Sequence, residues 1–247
     1  MAIFQFGSGV LLGARTDIAD STPINFGLVQ EVQLDLSYTT KELYGQNQFA
    51  IAIGRGTAKM TGKAKMAQIS GLAFNNLFFG MTLSSSYTAS SFGEADTVPA
   101  SSPYTISVAH AGSFVADYGV VYAASGLPLT LVASTPGASQ YSVSAGVYTF
   151  NAADAGKAVL INYIYTASSG GQKIPLLNQP IGTTPTFSAQ LFTSFQGKTV
   201  TVSLYNCVSS KLSYATKLED FTVPELDFSV FANAAGNVLD WSFSEAS

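Results

Sequence analysis

Short runs in which apolar and polar residues alternate recur between Gly, Pro and Asn punctuation, and this period of two predicts strands. The clearest run covers residues 28–37, where Val32, Leu34 and Leu36 alternate with Glu31, Gln33, Asp35 and Ser37. A second covers 55–65, where Ala58, Met60, Gly62 and Ala64 alternate with Thr57, Lys59, Thr61, Lys63 and Lys65. Paired antiparallel with Asp35 opposite Lys59 and Glu31 opposite Lys63, the two runs also set Leu34 opposite Met60. One face is then apolar and the other charge-paired, as a half-buried antiparallel pair requires. A one-residue slip would lose both alignments.

Between these runs, residues 38–54 read as a loop much longer than the roughly 2 to 5 residues of an ordinary hairpin connection. Leu43, Tyr44, Phe49, Ile51 and Ile53 make it too apolar for a disordered linker. Two readings stay open: it packs on its own barrel, or it docks on a neighbour. One helix is predicted over 70–79, with Ser70 as N-cap, Leu72, Ala73, Asn76 and Leu77 at helical spacing, and Gly80 placed to stop it. Toward the C-terminus, 186–195 and 198–208 form a hairpin turning at Gln196-Gly197. A last pair, 223–232 and 238–244, turns at Asn233–Asn237. The prediction is an all-β sandwich or barrel with one flanking α-helix.

The charge pattern divides the chain. Residues 95–171 hold four charged side chains, Asp96, Asp117, Asp154 and Lys157, whereas the remainder holds 22. Six short strands are predicted there, at 104–109, 114–122, 127–133, 140–144, 147–150 and 158–165. Ser/Gly-rich stretches flank them at 84–93 and 168–171. The segment reads as an inserted β-sandwich subdomain, leaving 1–94 and 172–247 as the main domain; the competing reading continues these strands into one larger barrel.

Composition narrows the chemistry. Charged residues make up 11% of the 247, against about 25% in an average soluble domain, and surfaces this poor in charge suit extensive interfaces. The single Cys207 excludes a disulfide framework and multi-Cys metal sites, and the single His110 excludes sites needing two histidines. A net charge of −4 argues against tight nucleic-acid binding. No apolar run approaches the ~20 residues of a spanning helix. Residues 1–17 lack a basic residue ahead of their apolar stretch and read as a poor secretory signal.

Local motifs add no catalytic reading. Gly7, Gly9 and Gly13 miss dinucleotide spacing and read as part of a flexible N-terminal arm. Gly54-Arg55-Gly56 reads as a turn entering a strand. His110 reads as a turn histidine outside any GxSxG context. Glu219-Asp220 and Glu225/Asp227 read as solvated carboxylates, and Cys207 as a small buried residue. No cofactor and no metal site is expected.

Three segments together resemble the major tail tube proteins of long-tailed bacteriophages. They are Gly7-Ser8-Gly9 with 22–30; Lys41–Gly45, Gly54–Gly56 and 63–80; and 217–228 with 235–239. The resemblance covers about 1–94 and 172–247. The middle segment is similar, more weakly, to Ig-like insertions of phage structural proteins through 147–150 and 162–165. The resemblance implies a subunit of hexameric rings that stack into a tube, the conduit for DNA ejection, assembled in the host bacterial cytoplasm and located in the virion. It implies that 38–54 is the stacking loop between rings, and that DNA passes without specific binding. Implied partners are further copies of the chain, a tape measure protein, tail terminator and baseplate proteins and, in contractile tails, a sheath protein, with no membrane. Glu31, Asp35, Lys59 and Lys63 would then form a charge-paired strand face that is a candidate lumen lining. The rival reading is a secreted or virion-surface β-sandwich adhesin or carbohydrate-binding protein.

Overall fold

The computed structural model describes residues 4–68 and 70–244. Strands β1 (Val10–Arg15), β2 (Ile24–Asn25), β3 (Val29–Tyr44) and β4 (Ala50–Met66) precede a single α-helix, α1 (Gly71–Phe74). Seven strands follow: β5 (Tyr87–Thr97), β6 (Thr105–Ser107), β7 (Phe114–Tyr122), β8 (Thr130–Leu131), β9 (Gln140–Ser144), β10 (Val147–Phe150) and β11 (Ala158–Ala167). The last four are β12 (Thr186–Phe195), β13 (Lys198–Ser213), β14 (Glu225–Phe231) and β15 (Leu239–Phe243). The fold is therefore all-β with one short helix. It divides into two compact units, one formed by Met1–Leu83 with Ile174–Ser247 and the other by Ser84–Lys173.

The first unit is one antiparallel sheet in the order β2-β1-β12-β13-β14-β4-β3, with β15 also paired to β13. Alternation puts Leu11, Ala64, Phe187, Leu204, Leu226 and Phe228 into one shared core, with Phe187 packed edge-on against both Phe26 and Phe228. Phe228 lies directly across from Gly62, and a Cβ at Gly62 would sit 2.1 Å from the Phe228 ring. Glycine at that strand position is thus the space into which the aromatic ring packs.

The helix lies against the same core through Ala73 and Leu77. The Ser70 side chain caps it by accepting from the Ala73 N–H at 3.3 Å. After Phe74 the helix widens into one π turn, Asn75–Phe79, which Gly80 ends at φ 64°. The buried Asn75 amide holds this end, donating to the Met81 carbonyl at 2.6 Å and accepting from its N–H at 2.9 Å. Ser209 Oγ on β13 donates to the Leu77 carbonyl at 2.6 Å, satisfying an acceptor that a helix end leaves open.

Several expectations change here. Residues 10–15 form β1, paired along its whole length with β12, and are not a free arm; Gly13 is held against Phe26 and the Ser188 carbonyl. Strands β14 and β15 do not pair with each other. Both pair with β13, β14 along 206–213 and β15 along 200–204, so the turn at Asn233–Asn237 re-inserts the chain on the same edge of one long strand. The hairpin at Gln196-Gly197 has both central residues at positive φ, 50° and 75°, the geometry whose twist matches flanking strands.

The second unit packs sheet β6-β10-β9-β8 and sheet β5-β11-β7 around a separate core of Ile106, Val120, Tyr141, Tyr148, Ile161 and Tyr163. It opens at Ser84, earlier than residue 95, because the Ser/Gly-rich stretch expected to flank it is β5, paired with β11 over 87–97. Three of its carboxylates accept hydrogen bonds from tyrosines. Asp117 accepts from Tyr141 at 2.5 Å and Tyr148 at 2.8 Å, Glu94 from Tyr163 at 2.6 Å, and Asp154 from Tyr122 at 2.6 Å. Burial pushes the Asp154 carboxyl up, but the Lys157 ammonium, the Tyr122 hydroxyl and the Ser139 N–H outweigh it and hold it below the ordinary carboxylate range. The ends of this unit meet, Ser84 and Lys173 exchanging backbone hydrogen bonds of 3.1 and 3.0 Å.

Two outcomes follow from this packing. Relief of backbone entropy alone would make Gly62→Ala stabilising by about 0.5–1 kcal/mol, but displacement of the Phe228 ring costs roughly 1–3 kcal/mol. Urea unfolding should therefore show a net loss of stability. Because its ends are paired, replacing Ser84–Lys173 by a short Gly/Ser link should leave the first unit folded, with its β-type circular dichroism and a cooperative melt retained.

Candidate functional site

Beyond Met60, β4 has no partner except β3, because β14 pairs with it only from Met60 to Lys65. The two strands run on together as a ribbon through the pairs Ser37–Lys59, Tyr38–Ala58, Lys41–Gly54, Glu42–Ile53 and Tyr44–Ala50. At ~3.3 Å per residue this arm projects about 30 Å past its last sheet neighbour. The expectation of a long loop over 38–54 is thereby corrected. Most of it is paired strand, and only 45–49 turns. Gly54 and Gly56 lie inside β4 rather than in a turn, and a Cβ at Gly56 would meet Thr39 Oγ1 at 2.5 Å. Alternation fails as a guide here because neither face is buried, so no selection for one polar and one apolar face operates.

The five apolar residues picked out of this segment come together at the end of the arm. Leu43 is 59% exposed, Tyr44 55%, Phe49 84%, Ile51 67% and Ile53 66%. Polar links stiffen the ribbon: the Arg55 guanidinium sits 4.7 Å from the Tyr38 ring centroid, Thr39 and Thr57 hydroxyls meet at 3.2 Å, and Tyr44 donates to Glu42. Hydrogen bonding to Glu42 raises the Tyr44 phenol above its ordinary value.

The charged face is real as a face but differently paired. The β3–β4 register lies two residues from the expected one, which preserves which side chains share a face and changes their partners. Glu31 meets Lys65, with Nζ to Oε2 at 2.6 Å; Gln33 lies opposite Lys63, Asp35 opposite Thr61, and Lys59 opposite Ser37. Lys63 turns instead to β14 and bridges Glu225 at 2.7 Å. Lys63 donates this hydrogen bond and Glu225 accepts it, which raises the Lys63 ammonium and lowers the Glu225 carboxyl. Asp227 lies across from Lys63 on one side and Lys211 on the other, and its Oδ1 is buried without a hydrogen-bond partner.

Glu225, Asp227 and Lys211 were missed as members of this face. The signal was present: Glu225-x-Asp227 alternates in the same period as Lys63-x-Lys65, so the two runs suit adjacent strands. Glu225 also lines, with Lys65, Lys217 and Asp220, an open cleft of about 430 Å³.

The remaining candidates have structural settings. Cys207 is buried, and burial pushes its thiol up to about 12. His110 is an exposed turn residue whose ring stacks on Tyr165 at 3.8 Å between centroids. Among the described residues, no group of three or more His, Cys, Asp or Glu is placed to hold a metal ion, and no helix is long and apolar enough to cross a membrane.

Exposed apolar side chains are concentrated in the first unit. Among the described residues, twenty-four of the large ones belong to it and six to Ser84–Lys173, more than twice the density per residue. Besides the arm they include Trp241 and Phe243 on β15, stacked at 6.0 Å. No protein-family model matches the chain, and no curated protein matches it in sequence.

The Lys63–Glu225 pair gives a signed expectation. A carboxyl lowered in the folded state adds stability above its unfolded value, and that contribution disappears as pH falls through the folded value. Carboxyl NMR titration should therefore place the Glu225 midpoint below the ordinary 4.5, and Lys63→Met should return it upward. An unchanged midpoint in that variant would remove Lys63 as the cause.

Proposed function

We propose that the chain is a structural, non-catalytic virion subunit that assembles with copies of itself into stacked hexameric rings, forming the tail tube of a long-tailed bacteriophage. The observation that carries the reading is the β3–β4 arm. A two-stranded ribbon is marginally stable alone in water, and this one displays five large apolar side chains at its end. An arm of this kind gains its stability by being covered, and a head-to-tail contact between identical subunits covers it in every copy but the last.

Further support comes from the sheet edges. β3 offers an unpaired outer edge, and β15 continues the sheet with exposed aromatics. Ring closure is one way to remove such edges. The mixed-sign face of Glu31, Asp35, Lys59, Lys63, Lys65, Glu225 and Asp227 suits a lumen that lets DNA slide, because a uniformly basic wall would retain it. In this reading the terminator, baseplate, tape measure and any sheath protein engage surfaces of the assembled rings, and the virion is where the protein resides.

Electron microscopy of the purified chain should show rings or tubes. Replacing 41–55 with a short Gly/Ser turn should leave a folded β-rich subunit and reduce tube formation at least tenfold. Phe49→Asp with Ile51→Asp should do the same. Dispersed monomers from the intact chain at high concentration, or normal tubes from the shortened one, would overturn the reading.

A further inference from the structure

On the exposed face of sheet β5-β11-β7, one residue of the central strand faces two residues on each neighbour. The register steps from Ile161 to Tyr163 on both sides, leaving Asn162 opposite Phe92-Gly93 on β5 and Tyr118-Gly119 on β7. These are two bulges, side by side. The Asn162 amide holds both: Oδ1 accepts from the Gly93 N–H at 2.8 Å and Nδ2 donates to the Gly119 carbonyl at 3.2 Å. Gly93 and Gly119 have φ of 70° and 100°, which glycine adopts without strain.

Each bulge turns its preceding aromatic outward. Phe92 is 92% exposed and Tyr118 68%. Two strand spacings set their backbones ~10 Å apart. Between them is an open groove of about 340 Å³, lined by Ser90, Phe92, Tyr118, Asn162 and Ile164. Bulges re-aim side chains at functional positions, and here a single amide fixes a pair of them. Keeping two aromatic rings in water forgoes the gain of burying them, in a unit that otherwise exposes few large apolar side chains.

Charge decides what fits. No charged side chain lines the groove: on the same strands Glu94 is engaged by Tyr163 and Asp117 by Tyr141 and Tyr148, and the exposed Asp96 lies farther along β5, opposite Val159 and outside the groove lining. An anionic ligand, nucleic acid included, finds no cation there, and a cationic one finds no free carboxylate. The complement is a neutral ring with an apolar C–H face to lie on an aromatic plane and a rim of hydroxyls for Ser90 and Asn162. We propose that this face binds a neutral oligosaccharide, with Phe92 and Tyr118 each stacking on one sugar residue. A span of ~10 Å selects a chain of sugars over a single one. The inference rests on the inserted unit alone and is independent of the assembly reading.

The test is a printed array of neutral and acidic glycans probed with the fluorescently labelled full chain. The proposal expects retention on neutral glycans, at least tenfold weaker retention for Phe92→Ala with Tyr118→Ala, and near-normal retention for Phe92→Tyr. Both aromatics are exposed, so the double variant should keep its circular dichroism. Absence of glycan retention, retention on acidic glycans alone, or equal retention by the double variant would overturn the proposal. Sedimentation of both proteins adds one more arm: self-association lost in the double variant, without glycan binding by the parent, would reassign the face to a contact between copies.

Discussion

The β3–β4 ribbon cannot complete itself, and that constraint organises the molecule. A sheet strand normally covers one face with a core and both edges with neighbours. From Ser37 to Tyr44 and from Ala50 to Lys59 the arm has one edge partner and neither face covered. Ordering such a segment costs on the order of 1–2 kcal/mol per residue, and fully burying each large apolar side chain returns about 1.5–3 kcal/mol. Within one subunit the five tip side chains stay largely in water and return little of that cost; a second surface that covers the tip adds the free energy of their burial.

The two units handle polar groups in opposite ways. In the first, charges are spread over one sheet face as cross-strand pairs, Lys65 with Glu31 and Lys63 with Glu225, where each remains partly in water. Such pairs set register and potential more than stability. In the second, three carboxylates accept hydrogen bonds from tyrosine hydroxyls, and Asp154 is fully buried with three donors on it. Buried networks of this kind are costly unless complete. With Glu94 and Asp117 held this way, no charged side chain lines the Phe92–Tyr118 groove.

Much of this was legible in the sequence wherever one face of an element is buried. Val200, Val202 and Leu204 on β13, the Ser70-to-Gly80 helix signals, and the Gln196-Gly197 turn all follow from local rules, and the structure has them. The signal weakened where burial is absent or shared. The arm reads as a loop because both its faces are exposed, and the first half of β5 reads as a flanking stretch because Ser90, Ser91 and Gly93 give it no apolar alternation, Gly93 standing where the bulge needs a positive φ. Register failed by two residues because the partner of Lys63 lies on β14, more than 150 positions along the chain. No pairwise reading of β3 and β4 contains Glu225.

The central claim is that the arm is ordered by a second copy. Residue-resolved hydrogen exchange of the full chain across a concentration series tests it directly. The account expects fast exchange of the amides of 43–53 in dilute solution, and protection that rises in step with the sedimentation coefficient. Protection of those amides in the dilute monomer, or fast exchange that persists in assembled material, would contradict it.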